Sequence, residues 1–157
     1  MGKVGMSIGK TLRGYWLSKG AEIRPGASLR TIEYFEDLNA VKFPLDMRDA
    51  FLAVDGMEEN TSDNTDLLFC FWPLHRLIPV NRQFVDPRDK HYTSVRNPSS
   101  FFCFADYMIE AEVFSIDLSP SARSSNLVVG WEGKPKASSY SEFIDRYFNN
   151  PESLLAK

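Results

Sequence analysis

The stretch "FFCFADYMIEAEVFSIDL", Phe101 to Leu118, mixes large apolar side chains with four carboxylates. The apolar run 101–104 and the alternating residues 113–118 predict two strands, with the polar segment "ADYMIE" between them as a turn or bulge. The acidic residues of this stretch fall mainly where the chain leaves one strand and enters the next. Because burying an unpaired carboxylate is costly, we expect Glu110 and Glu112 to face water or a cationic partner.

The aromatic residues of the same stretch predict its packed side. We expect Phe102, Phe104 and Phe114 to lie in the core, since large aromatic side chains supply much of the apolar area that a domain buries. Two further short strands are predicted at 67–72, where Pro73 ends the run, and at 126–131. Residues 74–78 are expected to form a turn of helix and residues 80–99 a long loop.

Helices are predicted on both sides of the strands. Ser28 is a suitable N-cap for one helix, and Asp46 for the next, with Gly56 at the position of a left-handed C-cap. Near the C-terminus, Ser139 and Glu142 form the pattern of a capping box, in which each side chain satisfies a backbone N–H at the helix start. The apolar positions that support the four helices are Ile8, Leu12, Trp16 and Leu17; Leu29, Ile32, Phe35 and Leu38; Met47, Ala50, Phe51 and Val54; and Tyr140, Phe143, Ile144, Tyr147 and Phe148.

This order of elements predicts an α+β fold. Helices, then strands, then a helix favour a mainly antiparallel sheet with N-terminal helices and a C-terminal helix packed around it. A length of 157 residues predicts one domain, which we place at 1–157, with a helical extension at 1–24 and a core at 25–155.

Composition narrows the classes of function. The net charge of −3, from 18 basic and 21 acidic residues, argues against a nucleic-acid binder, which is usually basic. The apolar runs are too short to span a membrane, and lysines and arginines interrupt the first twenty residues, so we expect a cytoplasmic protein. Cys70 and Cys103 lie inside aromatic runs and are expected to be reduced core thiols.

Charge is unevenly distributed along the chain. Residues 55–66 carry five acids and no base, whereas residues 76–96 carry five bases and two acids. Such blocks are usually solvated loops, but they can also steer a charged partner. The acidic loop lacks the glycine and the closing glutamate of a calcium loop, so no metal site is predicted there.

Few residues suggest catalysis. The sequence has no nucleophile elbow, zinc-protease motif, phosphate loop or metal-spaced set of histidines and cysteines, and it predicts no cofactor. His75, which follows a predicted strand, could act as a base near Trp72 in an enzyme or a small-molecule site. An exposed position on a short helix is the alternative that we favour for His75.

Three aromatic residues sit at strand ends, where exposure is most plausible. Trp72, Tyr107 and Trp131, with acidic residues around them, would suit a protein-binding hot spot. The alternative, which is the more common, is that all three cover the core.

Several segments together resemble a known family. They are "PGASLRTIEYFEDLNAVKFPLDMRDAFLAVDGM", "LLFCFWPL", "FFCFADYMIEAEVFSIDL", "NLVVGW" and "SSYSEFIDRYF". Their order and spacing resemble the SUKH superfamily, which includes yeast regulators of cell-wall glucan synthesis and many bacterial toxin-immunity proteins. The similarity covers residues 25–155. Two departures are Phe-Pro at 43–44, where Leu-Pro is usual, and Ser141-Glu142-Phe143, where a Ser-Phe pair is usual.

The resemblance implies an α+β domain without catalysis that binds another protein. We therefore expect an immunity protein that neutralises a cognate toxin, for example a nuclease, by direct binding, with no nucleic-acid or membrane partner. A scaffold or regulator of cell-wall synthesis or signalling with an endogenous partner is the alternative. The residues expected to contact the partner are Glu58, Glu59, Asp63, Trp72, Asp106, Tyr107 and Glu110.

Overall fold

The computed structural model describes residues 7–58, 61–64, 68–86, 88–89, 94–120 and 126–155. The helices are α1 (Ile8–Ser18), α2 (Leu29–Asn39), α3 (Leu45–Ala53), α4 (Val80–Gln83), α5 (Tyr140–Asn149) and α6 (Glu152–Leu155). The strands are β1 (Ile23–Pro25), β2 (Val54–Met57), β3 (Phe69–Phe71), β4 (Ile78–Pro79), β5 (Phe101–Tyr107), β6 (Glu112–Asp117), β7 (Val128–Val129) and β8 (Pro135–Ala137). Single 3₁₀ turns lie at Leu74–Arg76 and Trp131–Gly133.

The strands form two antiparallel sheets. The larger sheet has the order β3-β5-β6-β7-β8, with β4 also paired to β5, and the smaller one joins β1 to β2. Helices pack against these sheets, so the predicted α+β class with a mainly antiparallel sheet is confirmed.

The hairpin β5–β6 is the centre of the larger sheet and is made by the stretch 101–118. Both strands were predicted, but β5 continues three residues further, to Tyr107. The register shifts between Cys103 and Ala105, which marks a bulge at this point of the strand. Phe102, Phe104 and Phe114 are buried, as predicted.

The first helix is part of the core. Leu12 and Trp16 of α1 belong to the same buried cluster as the sheet aromatics. The indole Nε1 of Trp16 donates to the hydroxyl of Tyr147 at 3.0 Å, which ties α1 to α5.

The N-cap of α2 is confirmed, but its predicted apolar stripe is only partly right. The Oγ of Ser28 accepts from the backbone N–H of Thr31 at 3.1 Å. Ile32 is buried, whereas Leu29 and Leu38 are 45% and 69% exposed. A spacing of three residues falls behind the 3.6-residue turn, so the outer members of the stripe rotate away from the core.

Two assignments around α3 are corrected. Pro44 is the N-cap of α3 and makes no side-chain cap bond. The carboxylate of Asp46 instead accepts from the backbone N–H of Ser141 at 2.9 Å, so it caps α5. Gly56 is left-handed as predicted, with φ +66, but it lies in β2, where a Cβ would meet the backbone of Trp72 at 2.6 Å.

The N-terminus of α5 follows the predicted pattern in part. The Oγ of Ser139 accepts from the N–H of Glu142 at 3.0 Å. The Glu142 carboxylate accepts from the backbone N–H of Ser138 at 2.8 Å, rather than from the N–H of the N-cap residue. The buried face of α5 is Tyr140, Phe143, Ile144 and Tyr147.

The two cysteines are buried free thiols, as predicted. Burial raises the pKa of Cys70 to about 11, with the Asp106 carboxylate adding to the effect. Burial likewise raises the pKa of Cys103 to about 12. Since the thiolate is the reactive form, both thiols are poor nucleophiles at neutral pH.

Candidate functional site

Trp72 is buried, so the favoured alternative, in which it covers the core, is confirmed for this residue and its choice as a partner-contact residue is wrong. Its side chain is 1% exposed, and Asp106, also expected at the surface, is 3% exposed. The backbone N–H of Trp72 donates to the carbonyl of Phe104 at 2.8 Å, so the chain stays against the sheet after β3 ends. A buried indole needs an acceptor, and the Asp106 carboxylate accepts from Trp72 Nε1 at 2.6 Å. These two side chains are therefore buried and joined to each other rather than presented at the surface.

Asp63 is also buried rather than presented to a partner. It is fully inaccessible, and its carboxylate accepts from the hydroxyl of Tyr147 at 2.9 Å. Its backbone N–H donates to the carbonyl of Phe69 at 2.8 Å. Burial, followed by the Asp63 charge, raises the pKa of Tyr147, which stays protonated and able to donate. Asp63 thus anchors residues 61–64 to the core.

The other predicted contact residues lie at or near the surface. The side chain of Glu58 is 47% exposed and lies 3.5 Å from Arg24. Tyr107 is partly buried against the core, and Trp131 is also half-buried. Glu59 lies outside the described residues.

The two glutamates at the hairpin end occupy different environments. Glu110 is 42% exposed and lies 3.4 Å from Arg76, and it also accepts from Gln83 at 2.8 Å. Glu112 is 4% exposed and lies 3.8 Å from the buried amine of Lys136. The prediction that each faces water or a cationic partner is confirmed.

The tip of the β5–β6 hairpin has a rare backbone conformation. Met108, Ile109 and Glu110 all have left-handed backbones, with φ of 51°, 53° and 62°. Three hydrogen bonds among the described residues hold this turn: Met108 N–H to the Leu68 carbonyl at 3.1 Å and Ala111 N–H to the Met108 carbonyl at 3.3 Å, and Glu110 N–H to the Asp106 carboxylate at 3.2 Å. A left-handed backbone is unusual for any residue other than glycine and is most strained for a β-branched one such as Ile109.

Apolar side chains are exposed at this tip. Ile109 is 94% exposed, Met108 51% and Leu68 39%. The sequence signal for this feature is the run of tyrosine, methionine and isoleucine inside a predicted turn, where polar residues are the rule. We define the hairpin tip as residues 108–110.

A cleft of about 450 Å³ lies beside the hairpin tip. Its lining combines residues of the segment 61–64, of the hairpin tip and of the segment before β1. Among the described residues, the cleft is lined by Gly20, Glu22, Thr61, Ser62, Asn64, Leu68, Cys70, Arg76, Asp106, Ile109 and Glu110. Sequence reasoning placed Asp106 and Glu110 in the site but missed Glu22, Arg76 and Ile109, which come from distant parts of the chain.

Arg76 is the positive group of the cleft and is held on several sides. Its guanidinium lies over the Trp72 ring, 3.8 Å from the centroid. Its nitrogens lie 3.8 Å from the Asp106 carboxylate and 3.4 Å from that of Glu110. A stacked guanidinium paired with carboxylates is well fixed. Trp72 and Asp106 thus position Arg76.

His75, the alternative candidate near Trp72, is exposed on the 3₁₀ turn, as favoured from the sequence. Neither His75 nor Trp72 is among the described residues that line the cleft of about 450 Å³. Trp72 lines a void of about 10 Å³ among core side chains. In the described part of the chain, no group of three or more His, Cys, Asp or Glu residues could hold a metal ion.

A scan of protein-family models and a search of curated proteins found no match to this chain. The resemblance to the SUKH superfamily therefore remains a prediction from the sequence. Within the described ranges, no helix is long and apolar enough to cross a membrane.

Proposed function

We propose that this protein is a non-catalytic binding module, an immunity-type inhibitor that neutralises a toxin domain in the cytoplasm by direct contact. The observation that carries the proposal is Ile109, which is 94% exposed in a left-handed backbone with φ +53. The binding surface consists of the hairpin tip and the cleft beside it.

Ile109 lowers the stability of the isolated domain. A left-handed backbone costs an L-residue about 1–2 kcal/mol, and an exposed isoleucine buries almost no apolar area in return. Strained residues that the surrounding structure holds in place cluster at binding and catalytic sites. A partner that covers Ile109 would supply the apolar burial that the isolated domain lacks.

Charge around the tip suits a basic partner. Glu110 and Glu22 line the cleft. Glu58 lies next to Glu22, because the backbone N–H of Glu58 donates to the Glu22 carbonyl at 2.8 Å. Toxins that cleave nucleic acids present basic surfaces to their substrates, and complementary charge raises the rate of association with them. The resemblance to the SUKH superfamily supports the same type of partner.

The test begins with capture of the partner from the protein's own cells, followed by mass spectrometry. We expect one stoichiometric protein whose gene arrests growth when expressed alone, and growth should recover when the present protein is co-expressed. Ile109→Asp should abolish both capture and recovery, because it places a charge in the apolar contact.

Leu45→Asp is the matched control, since Leu45 is 80% exposed and begins α3, just after Lys42, whose N–H donates to the Leu118 carbonyl at the end of the hairpin away from its tip. This variant should behave as the wild type. A captured protein that is harmless when expressed alone, or a housekeeping complex, would contradict the immunity proposal and favour a scaffold or regulator.

A further inference from the structure

The geometry of the cleft points to its occupant: we propose that it receives one arginine or lysine side chain of the partner, while an apolar neighbour of that residue packs on Ile109. This inference rests on the proposed binding function and adds the chemistry of the contact. It concerns the cleft of about 450 Å³ lined by residues of the hairpin tip, residues 61–64 and Glu22.

The charge of the lining favours a cation. Among the described residues that line the cleft, Glu22, Asp106 and Glu110 contribute three carboxylates, and Arg76 contributes the one positive side chain. The formal charge of these described residues, three negative against one positive, is −2. An anionic ligand would therefore meet net repulsion, whereas an ammonium or guanidinium would meet attraction at short range, where salt screens least.

Arg76 leaves acceptor capacity on the carboxylates that it contacts. Its distances of 3.8 Å to Asp106 and 3.4 Å to Glu110 are longer than those of tight charge-assisted bonds. Each carboxylate offers about four lone-pair sites, so Glu110 can accept from an incoming cation as well as from Arg76 and Gln83. Arg76 thereby fixes the carboxylates in place rather than neutralising them fully.

Glu22 supplies a carboxylate without a partner in the described structure. It is exposed beside β1, and its carboxylate makes no hydrogen bond or ion pair with any described residue, whereas its backbone carbonyl accepts from the N–H of Glu58. Glu22 lines the same cleft as Ile109 and Glu110 of the hairpin tip. A guanidinium with five N–H donors between Glu22 and Glu110 would bond to both.

The remaining walls suit the same side chain. Thr61, Ser62 and Asn64 contribute polar residues with hydroxyl and amide groups to the lining of the cleft. Leu68 and Ile109 contribute apolar side chains to the same lining, on which the methylene stem of an arginine or lysine can pack while its charged end reaches the carboxylates. An apolar side chain next to this residue in the partner would then cover Ile109.

The probe is N-acetyl-arginine amide, added to the ¹⁵N-labelled full chain and followed by amide chemical shifts. We expect saturable shifts at Glu22, Ser62, Asn64 and Glu110, with a Kd on the order of 1 mM for a ligand of this size. N-acetyl-lysine amide should produce similar shifts. N-acetyl-citrulline amide, which has nearly the same shape without the charge, should leave these amides unmoved.

Three variants test the residues. Glu22→Gln and Glu110→Gln should each weaken binding of the arginine probe about three- to tenfold, a loss typical of one partly exposed charge pair or a little more. Glu33→Gln is the matched control, because Glu33 is an exposed glutamate on α2. Equal binding of the citrulline probe, or unchanged binding in both cleft variants, would overturn the inference.

The result for the cleft is separable from the result for the proposed function. Specific binding of the arginine probe without a toxin partner would support the inference and contradict the immunity role. A captured toxin whose Kd is unchanged by Glu22→Gln and Glu110→Gln would support the immunity role and overturn the inference.

Discussion

At the scale of single residues, the hairpin tip combines strain with exposure. Ile109 is a β-branched residue at φ +53, and its own side chain, 94% exposed, buries almost no apolar area in the fold. Glycine adopts such a backbone freely. An isoleucine at this position is therefore best explained by a contact between its side chain and a binding partner.

Replacing Ile109 by glycine should stabilise the protein and weaken partner binding. The gain comes from removal of left-handed strain, reduced by the greater freedom of glycine in the unfolded chain, and we expect a net increase in the free energy of unfolding of about 1 kcal/mol. Urea denaturation measures this, and partner capture measures the loss of binding. Ile109→Ala keeps the Cβ, so it should lose binding without the full gain; a destabilised glycine variant would refute the strain argument.

The pair Glu112–Lys136 is a second residue-scale feature. Both side chains are almost inaccessible, at 4% and 3% exposed, with the charged atoms 3.8 Å apart. Burial lowers the pKa of Lys136, and the nearby Glu112 carboxylate opposes that shift. Each charge is tolerated in the interior because the other is present.

Removing only the lysine should therefore be costly. We expect Lys136→Met to lower the free energy of unfolding by about 3–5 kcal/mol, because it leaves a buried carboxylate without its cation. The double variant Glu112→Gln/Lys136→Met should recover most of that loss, since neither charge remains. Additive losses in denaturant unfolding would show that the two groups do not depend on each other.

At the scale of elements, predictions succeeded where local signals were sufficient. Ser28 and Ser139 were placed correctly because capping depends on residues three positions apart. The strands β1, β2, β4 and β8 were missed, since each is only two to four residues long. A strand of this length is too short to show an alternation of apolar and polar residues. Their pairing depends on distant partners, such as Ile23 opposite Met57. Asp46 was misassigned because the helix that it caps is remote in sequence.

Helix α1 contains two glycines that should respond oppositely to alanine. A Cβ at Gly9 would lie 2.5 Å from the Asp49 carbonyl and 2.7 Å from the Ala53 Cβ, whereas a Cβ at Gly14 would meet nothing within 4 Å. We expect Gly9→Ala to lower the free energy of unfolding by about 1–3 kcal/mol by forcing α1 away from α3. Gly14→Ala should raise it by about 1 kcal/mol through helix propensity. Thermal unfolding of both variants measures the contrast, and a shift of the same sign in both would contradict the close packing of α1 on α3.

Residues 61–64, three of which line the cleft, are joined to α5 through the buried carboxylate of Asp63. The Tyr147 hydroxyl donates to Asp63 and accepts from Trp16, so Tyr147→Phe would leave two buried polar groups without that partner. We expect a loss of about 2–4 kcal/mol in the free energy of unfolding, together with faster amide hydrogen exchange in 61–64. Tyr140→Phe on the same helix is the control, because no described residue hydrogen-bonds its hydroxyl. Equal effects of the two changes would mean that Tyr147 acts only by packing.

The candidate site could be predicted only in part, for a related reason. Asp106 and Glu110 stand close together in one acidic segment, and the sequence indicated them. Trp72 was expected at the surface because Pro73 ends its strand, but the chain turns inward there and Asp106 satisfies the indole. Arg76 and Glu22 could not be found, because they reach the cleft from segments that are distant in sequence from each other and from the hairpin.

At the scale of the whole molecule, the placement of charge should matter more than its total. The protein carries a net charge of −3, and Glu22 and Glu58 lie together on the side of the cleft. Glu33 and Asp37 are equally exposed but lie on α2, whose Phe35 packs 5.7 Å from Phe102 at the far end of the hairpin. Reversing either pair to lysine adds four charges, so both variants have the same net charge, −3 + 4 = +1.

The two charge-reversed variants should associate with the captured toxin at different rates. We expect Glu22→Lys/Glu58→Lys to slow association at low salt about tenfold or more, since the field at the cleft changes sign, and Glu33→Lys/Asp37→Lys to slow it much less. Stopped-flow measurements at rising ionic strength should bring the two rates together, because the Debye length falls to about 3 Å at 1 M salt. The side chains of the ion pair Arg24–Glu58 are 35% and 47% exposed, so loss of this pair should cost the fold little. Equal melting temperatures of the two variants would exclude misfolding as the cause of a difference in rate. Equal slowing of the two variants at low salt would mean that the partner responds to net charge alone and approaches by another face.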